Sequence, residues 1–308
     1  MKKLFFIICL FWFYAANAIT YPISPRPLRM LVSESKHIIV GHVIKVEKIT
    51  RKINRKQSDT DTFAYIVVNE RLQGSIKDDT IKIEFEPGMI CPASDMYYEN
   101  TDVLAFLDEE NGKYATHALS YGSKTLDKEG IAIYKERIQE IQSILKVDNT
   151  IEQLKQTVEW LVKCAENHYT QWEGTFELSP DSHFMSFYSR SKAPDFELLL
   201  SNDQKERLKT ALIKSADQSY LDLGLVDLVY EGNENEIDAL MLKNLKALVD
   251  EDYNWFASDY MQRLVHLNNS DEANKLIKDF DDVIMDYDKD KKGKAIILKF
   301  ISLIENKP

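Results

Sequence analysis

HIIVGHVIKVEKI, residues 37–49, decides how the first half of this chain is read. Two histidines sit five residues apart among branched apolar residues, so the stretch is either a metal site or a strand. Side chains alternate faces along a strand. Ile38, Val40, Ile44 and Val46 therefore share a face with His42, while His37, Gly41, Lys45 and Glu47 take the other. On a regular strand the two histidines point apart, no Cys, Asp or Glu completes a ligand set, and only a bulge at Gly41 would bring them together. The expectation is a long strand, bent near Gly41, with one half-buried histidine.

Strand signals continue at short intervals. FAYIVV (63–68) is one, and TIKIEF (80–85) alternates with Ile81, Ile83 and Phe85 inward. VLAFL (103–107) reads as a strand buried on both faces. KYATHAL (113–119) follows Asn111-Gly112, a hairpin dipeptide. No crossover helix separates these segments, which predicts a small antiparallel barrel, closed or partly open. KITRKINRK (48–56) falls between two of the strands and reads as a solvated hairpin loop.

The first eighteen residues stand apart. Lys2 and Lys3 precede an apolar run from Leu4 to Tyr14, and Ala16-Asn17-Ala18 has the form of a cleavage site. This predicts a signal peptide, a mature start at Ile19, and export to the periplasm or the exterior. Cys9 follows Ile8 inside the apolar run, which does not suit a lipid anchor. No later segment approaches a membrane span. The net charge of −11 disfavours nucleic acid and anionic membrane as partners.

From Tyr134 onward the period changes from two to 3.6. The expected organisation is a signal peptide over 1–18, a β-barrel over 19–133 and an α-helical domain over 134–308. Thr150 with Gln153 and Ser201 with Gln204 read as capping boxes. From about residue 203 helices are expected in pairs: 203–216 with 218–230, 235–249 with 253–268, and 271–284 with 291–305. Their spacing of roughly thirty-odd residues suggests stacked repeats, with a plain bundle as the alternative.

The pattern IIVGHVIKVEK, AYIVVNERLQGS, TIKIEF and MICPASDMYYENTDVLAFL resembles the netrin-type OB barrel. That is the fold of the tissue inhibitors of metalloproteinases and of similar exported bacterial proteins. NWFASDYMQRL (254–264) is similar to a helix of HEAT-like repeats. The resemblance implies an α+β chain: an OB/netrin-like barrel, then HEAT-like helix pairs. It also identifies Cys91 with the family's loop cysteine. The inhibitors begin with Cys-x-Cys, whose first residue chelates the protease zinc; here the mature chain would begin Ile-Thr-Tyr-Pro, so that mechanism does not carry over. Cys91 also lacks its family partner, which makes Cys91–Cys164 a candidate disulfide; the alternative is a buried thiol at Cys164.

Chemistry is sparse. Glycine-rich phosphate loops and G-x-S-x-G are absent from the sequence. His117 could approach Cys91, but nothing in the sequence places them together. Asp286, Asp288 and Asp290 occupy positions 1, 3 and 5 of a calcium loop, yet Lys291 replaces its glycine and Ile297 its glutamate. No catalytic residue, cofactor or metal is therefore expected. Met96, Tyr97 and Tyr98, in a loop between strands, are the candidate binding residues: either a contact surface or a plug under the barrel. The function expected is a non-catalytic exported binding or scaffold protein whose partner is another exported or envelope protein. The rival is an exported hydrolase or protease inhibitor with a site at the barrel–helix junction.

Overall fold

The computed structural model describes residues 24–54, 57–89, 93–179, 195–215, 222–232, 234–250, 252 and 256–306. Residues 1–18, expected to be a signal peptide, and Cys91 lie outside them. Among the described residues the chain divides into two compact units, the first running to Gln153 and the second beginning at Leu154.

The first unit opens with α1 (Leu28–Glu34) and continues through β1 (His37–Asn54), β2 (Gln57–Gln73), β3 (Thr80–Phe85), β4 (Thr101–Glu110), β5 (Lys113–Thr116) and β6 (Ser123–Thr125) to α2 (Lys128–Ile144). Strand neighbours run β1-β2-β3-β5-β4, and β4 returns to β1, so five strands close into a barrel; β6 adds to β4. Only β3 and β5 are parallel, through Ile83 and Tyr114; the other pairings are antiparallel. This is a five-stranded mixed barrel of OB-like form.

Closure depends on β1, which pairs with β2 along its length and with β4 from His37 to Val43. Gly41 permits the bend: a Cβ there would lie 2.5 Å from Ile66 Cγ2 and 2.7 Å from the Val67 carbonyl oxygen. The β1–β2 register slips at several points, and past Val43 it skips Ile44. This bulge reverses the alternation beyond it, so Val46 packs on the same side as Ile39 and Val43 rather than with Ile38 and Val40. Ile39 and Val43 enter the barrel core, whereas Ile44 is 51% exposed. Ile38 and Val40 are buried without belonging to that core. The run 48–54, expected as loop, is strand: the ladder continues from Lys48↔Thr62 to Asn54↔Gln57, β4 having left at Val43 and β3 pairing no farther than Thr62↔Phe85.

TIKIEF alternates exposed and buried as expected. Asn111 and Gly112 have φ of 52° and 74°, the left-handed pair of a tight hairpin turn. α2, capped by Asp127, packs on β2, β4 and α1 within the barrel unit.

Beyond α3 (Thr150–Ala165) lie α4 (Gln171–Leu178), α5 (Asn202–Lys214), α6 (Leu223–Val229), α7 (Asn235–Ala247), α8 (Phe256–Leu264), α9 (Asp271–Asp282) and α10 (Lys289–Glu305). Among the described residues the second unit is all helical. α5 packs with α6, α7 with α8 and α9 with α10; α8 also meets α9, and α10 returns to α7. The Ser201–Gln204 capping box forms as expected. Thr150 is not a cap. Asn149 takes that place, its side chain accepting from Ile151 and Glu152 N–H, while Gln153 reaches back to the carbonyls of Ile144 and Leu145.

Candidate functional site

The loop between β3 and β4 divides the candidate binding residues by depth. Tyr97 is 3% exposed and stacks edge-on against Phe85, with ring centroids 5.4 Å apart. Its neighbours turn outward: Met96 is 37% and Tyr98 52% exposed. The loop thus supplies both a plug and a contact surface.

Tyr97 belongs to a buried polar network. Its hydroxyl lies 2.6 Å from Thr116 Oγ1, which donates in turn to the Asp95 carboxylate; Ser94 Oγ donates to the other oxygen at 2.8 Å. Asp95 and Ser94 are themselves buried. Burial without a cation pushes the Asp95 carboxyl above the usual carboxylate range, against the two hydroxyl donors. Burial and the nearby Asp95 charge push the Tyr97 hydroxyl well above the ordinary tyrosine range. The network anchors the loop: Asn100 N–H donates to the Val43 carbonyl and Thr101 Oγ1 to the Tyr98 carbonyl.

The sign of the Asp95 effect follows from linkage. A raised carboxyl favours the protonated native state, so its contribution to stability is full below the ordinary carboxylate pKa and is lost as pH rises through the folded value. Asp95→Asn, a neutral mimic, is expected to be more stable than the parent at pH 7 by on the order of 1 kcal/mol. The advantage should close as pH falls into the carboxylate range. Urea melts at pH 4 and pH 7 test this, and a variant advantage that grew toward acid would contradict it.

The two histidines of the opening stretch each meet a β4 carboxylate. His37 is buried, with Nδ1 accepting from Ser75 N–H at 3.3 Å and Nε2 lying 3.2 Å from Glu109. His42 is the half-exposed one, 2.7 Å from Asp102. The pair does not converge on a shared ligand position.

His117 sits between Asp108, 2.8 Å from Nδ1, and Glu34 of α1, 3.2 Å from Nε2; Arg26 holds Glu34 at 2.8 Å. Both ring nitrogens are therefore engaged. Ala118 and Leu119, which follow, have φ of 54° and 53°, a strained pair for residues other than glycine. Cys91 lies outside the described residues and Cys164 is buried, so the Cys–His and disulfide readings also fall outside them.

In the helical unit, sequence reading missed a cluster. Tyr230 Oη donates to Asp238 at 2.7 Å and lies 2.9 Å from His266 Nε2; His266 Nδ1 faces the Arg263 carbonyl at 2.8 Å. Arg263 in turn grips Asp227 through two bonds of 2.7 and 2.6 Å. These residues are dispersed along the chain and form no motif, so no local signal reveals them. Lys292 lies 2.7 Å from Asp286 and 3.0 Å from Asp288, placing an ammonium among the calcium-loop carboxylates. Among the described residues no three His, Cys, Asp or Glu side chains are arranged to hold one metal ion. A shallow groove of about 360 Å³ lies along Asn268, Glu272, Lys299 and Ser302. No helix among the described residues is long and apolar enough to cross a membrane.

No protein-family model matches the chain, and no curated protein is significantly similar to it.

Proposed function

We propose that the mature chain, exported after cleavage near Ala18, is a non-catalytic binding protein. Its partner, another exported or envelope protein, is met by Met96 and Tyr98 on the β3–β4 loop. The observation that carries this reading is the contrast within one loop. Tyr97 and Asp95 are locked into the barrel, while the flanking Met96 and Tyr98 are held out to solvent. Tyr and Met are enriched at protein interfaces, and a pre-ordered loop loses little entropy on docking.

A photo-crosslinking residue placed at Tyr98 in the exported chain should give one discrete protein adduct, weakened severalfold by Met96→Ala. The same residue at exposed Lys128 should give none. Equal labelling from both positions, or no adduct from Tyr98, would overturn the reading.

A further inference from the structure

The outer half of β1 has an edge that the barrel does not use. β4 leaves β1 at Val43↔Thr101, while β1 continues beside β2 to Asn54. From Lys45↔Tyr65 to Lys52↔Ser58 the register is unbroken. Backbone groups on an antiparallel strand point alternately toward and away from the partner. Val46 points away from β2, because its N–H donates to the Glu99 carboxylate at 2.7 Å. Lys48 and Thr50, two and four residues on, present their backbone groups to the same side. Among the described residues none pairs with them there.

We infer that this edge, centred on Lys48 and Thr50, takes an extended acidic segment of a protein partner as an added strand. The inference rests on reading the chain as a binding protein and names a partner chemistry for it. Two observations select the occupant. Along the described part of this edge, residues 45–51, β1 carries Lys45, Lys48 and Arg51 against the single acid Glu47, in a chain whose net charge is −11. The edge N–H at Val46 already donates to a carboxylate of the chain itself, that of Glu99. A second copy fits poorly, because edge pairing would set basic strands side by side, and lysine on an edge strand opposes such self-pairing. An acidic strand meets no such repulsion and gains main-chain hydrogen bonds.

The test uses the full mature chain and a fluorescent decapeptide of alternating Glu and Thr, followed by anisotropy at low salt. Binding is expected, with at least a tenfold loss for Thr50→Pro, which removes an edge N–H at a position where proline is tolerated. Lys48→Glu should lose as much. The same peptide N-methylated at alternate residues should also bind at least tenfold more weakly, a comparison that leaves the protein unaltered. The matched Lys/Thr decapeptide should not bind. Undiminished binding of the N-methylated peptide, or affinity for heparin equal to that for the Glu/Thr peptide, would show charge attraction alone and overturn the added strand; absence of peptide binding would do the same. Crosslinking from Tyr98 is read separately, so loss of the edge leaves the loop contact standing, and the reverse.

Discussion

Gly122→Ala is expected to leave the barrel unit largely unfolded, with a loss of more than about 4 kcal/mol, at the extreme of single substitutions. A Cβ on Gly122 would stand 1.8 Å from the His117 carbonyl oxygen and 2.9 Å from its carbon. Neither side has room to move. The Gly122 carbonyl accepts from Phe106 N–H, and His117 N–H donates to the Phe106 carbonyl, so both segments are tied to β4. The φ at Gly122 is −87°, so the cost lies in the contact rather than in the backbone angle. Gly88, where a Cβ would meet nothing within 4 Å, is the control; Gly88→Ala should stay within about 0.5 kcal/mol. Hydrogen exchange at the β4 amides follows the barrel by itself, and near-parent protection in Gly122→Ala would refute the expectation.

Phe106→Ala is expected to cost about 3–5 kcal/mol. β4 is buried on both sides. Val103, Ala105 and Leu107 belong to the barrel core, while Leu104 and Phe106, with the opposite parity, are fully buried as well. α2, which packs on β4, buries Ile138 and Ile141. Truncating a ring there leaves a cavity that strands and helix cannot both collapse to fill. Ile44→Ala, at the exposed bulge, should cost less than about 1 kcal/mol. Comparable losses at the two positions, read by exchange at β4, would show that Phe106 is not a packing residue of the barrel's outer face.

These expectations depend on differing amounts of tertiary information. The double burial of β4 is legible in VLAFL, an unbroken apolar run. So are the alternation of TIKIEF, the turn at Asn111-Gly112 and the Ser201–Gln204 box, because each is completed by hydrogen bonds or pleating within a few residues. The Thr150 expectation failed by one residue, since Asn149 competes for the same donors with a better-placed side chain.

The division between strand-forming and helix-forming halves was thus determined by sequence periodicity, as was the Ile44-containing strand itself. Which way that strand faces was not. One bulged residue reverses the parity of everything after it, and the bulge is set by where β2 and β4 hold β1, not by residues 37–49. The same limit applies to Tyr97, turned inward by Thr116 and Phe85 from distant strands, and to His117, flanked by Glu34 of α1 and Asp108 of β4. Tyr230, Asp238 and His266 meet only once three helical segments are packed. Local hydrogen bonding and pleat determine the elements. The ring closure of the barrel and the packing of the helices decide which polar groups find each other, and so which side chains are left to meet a partner.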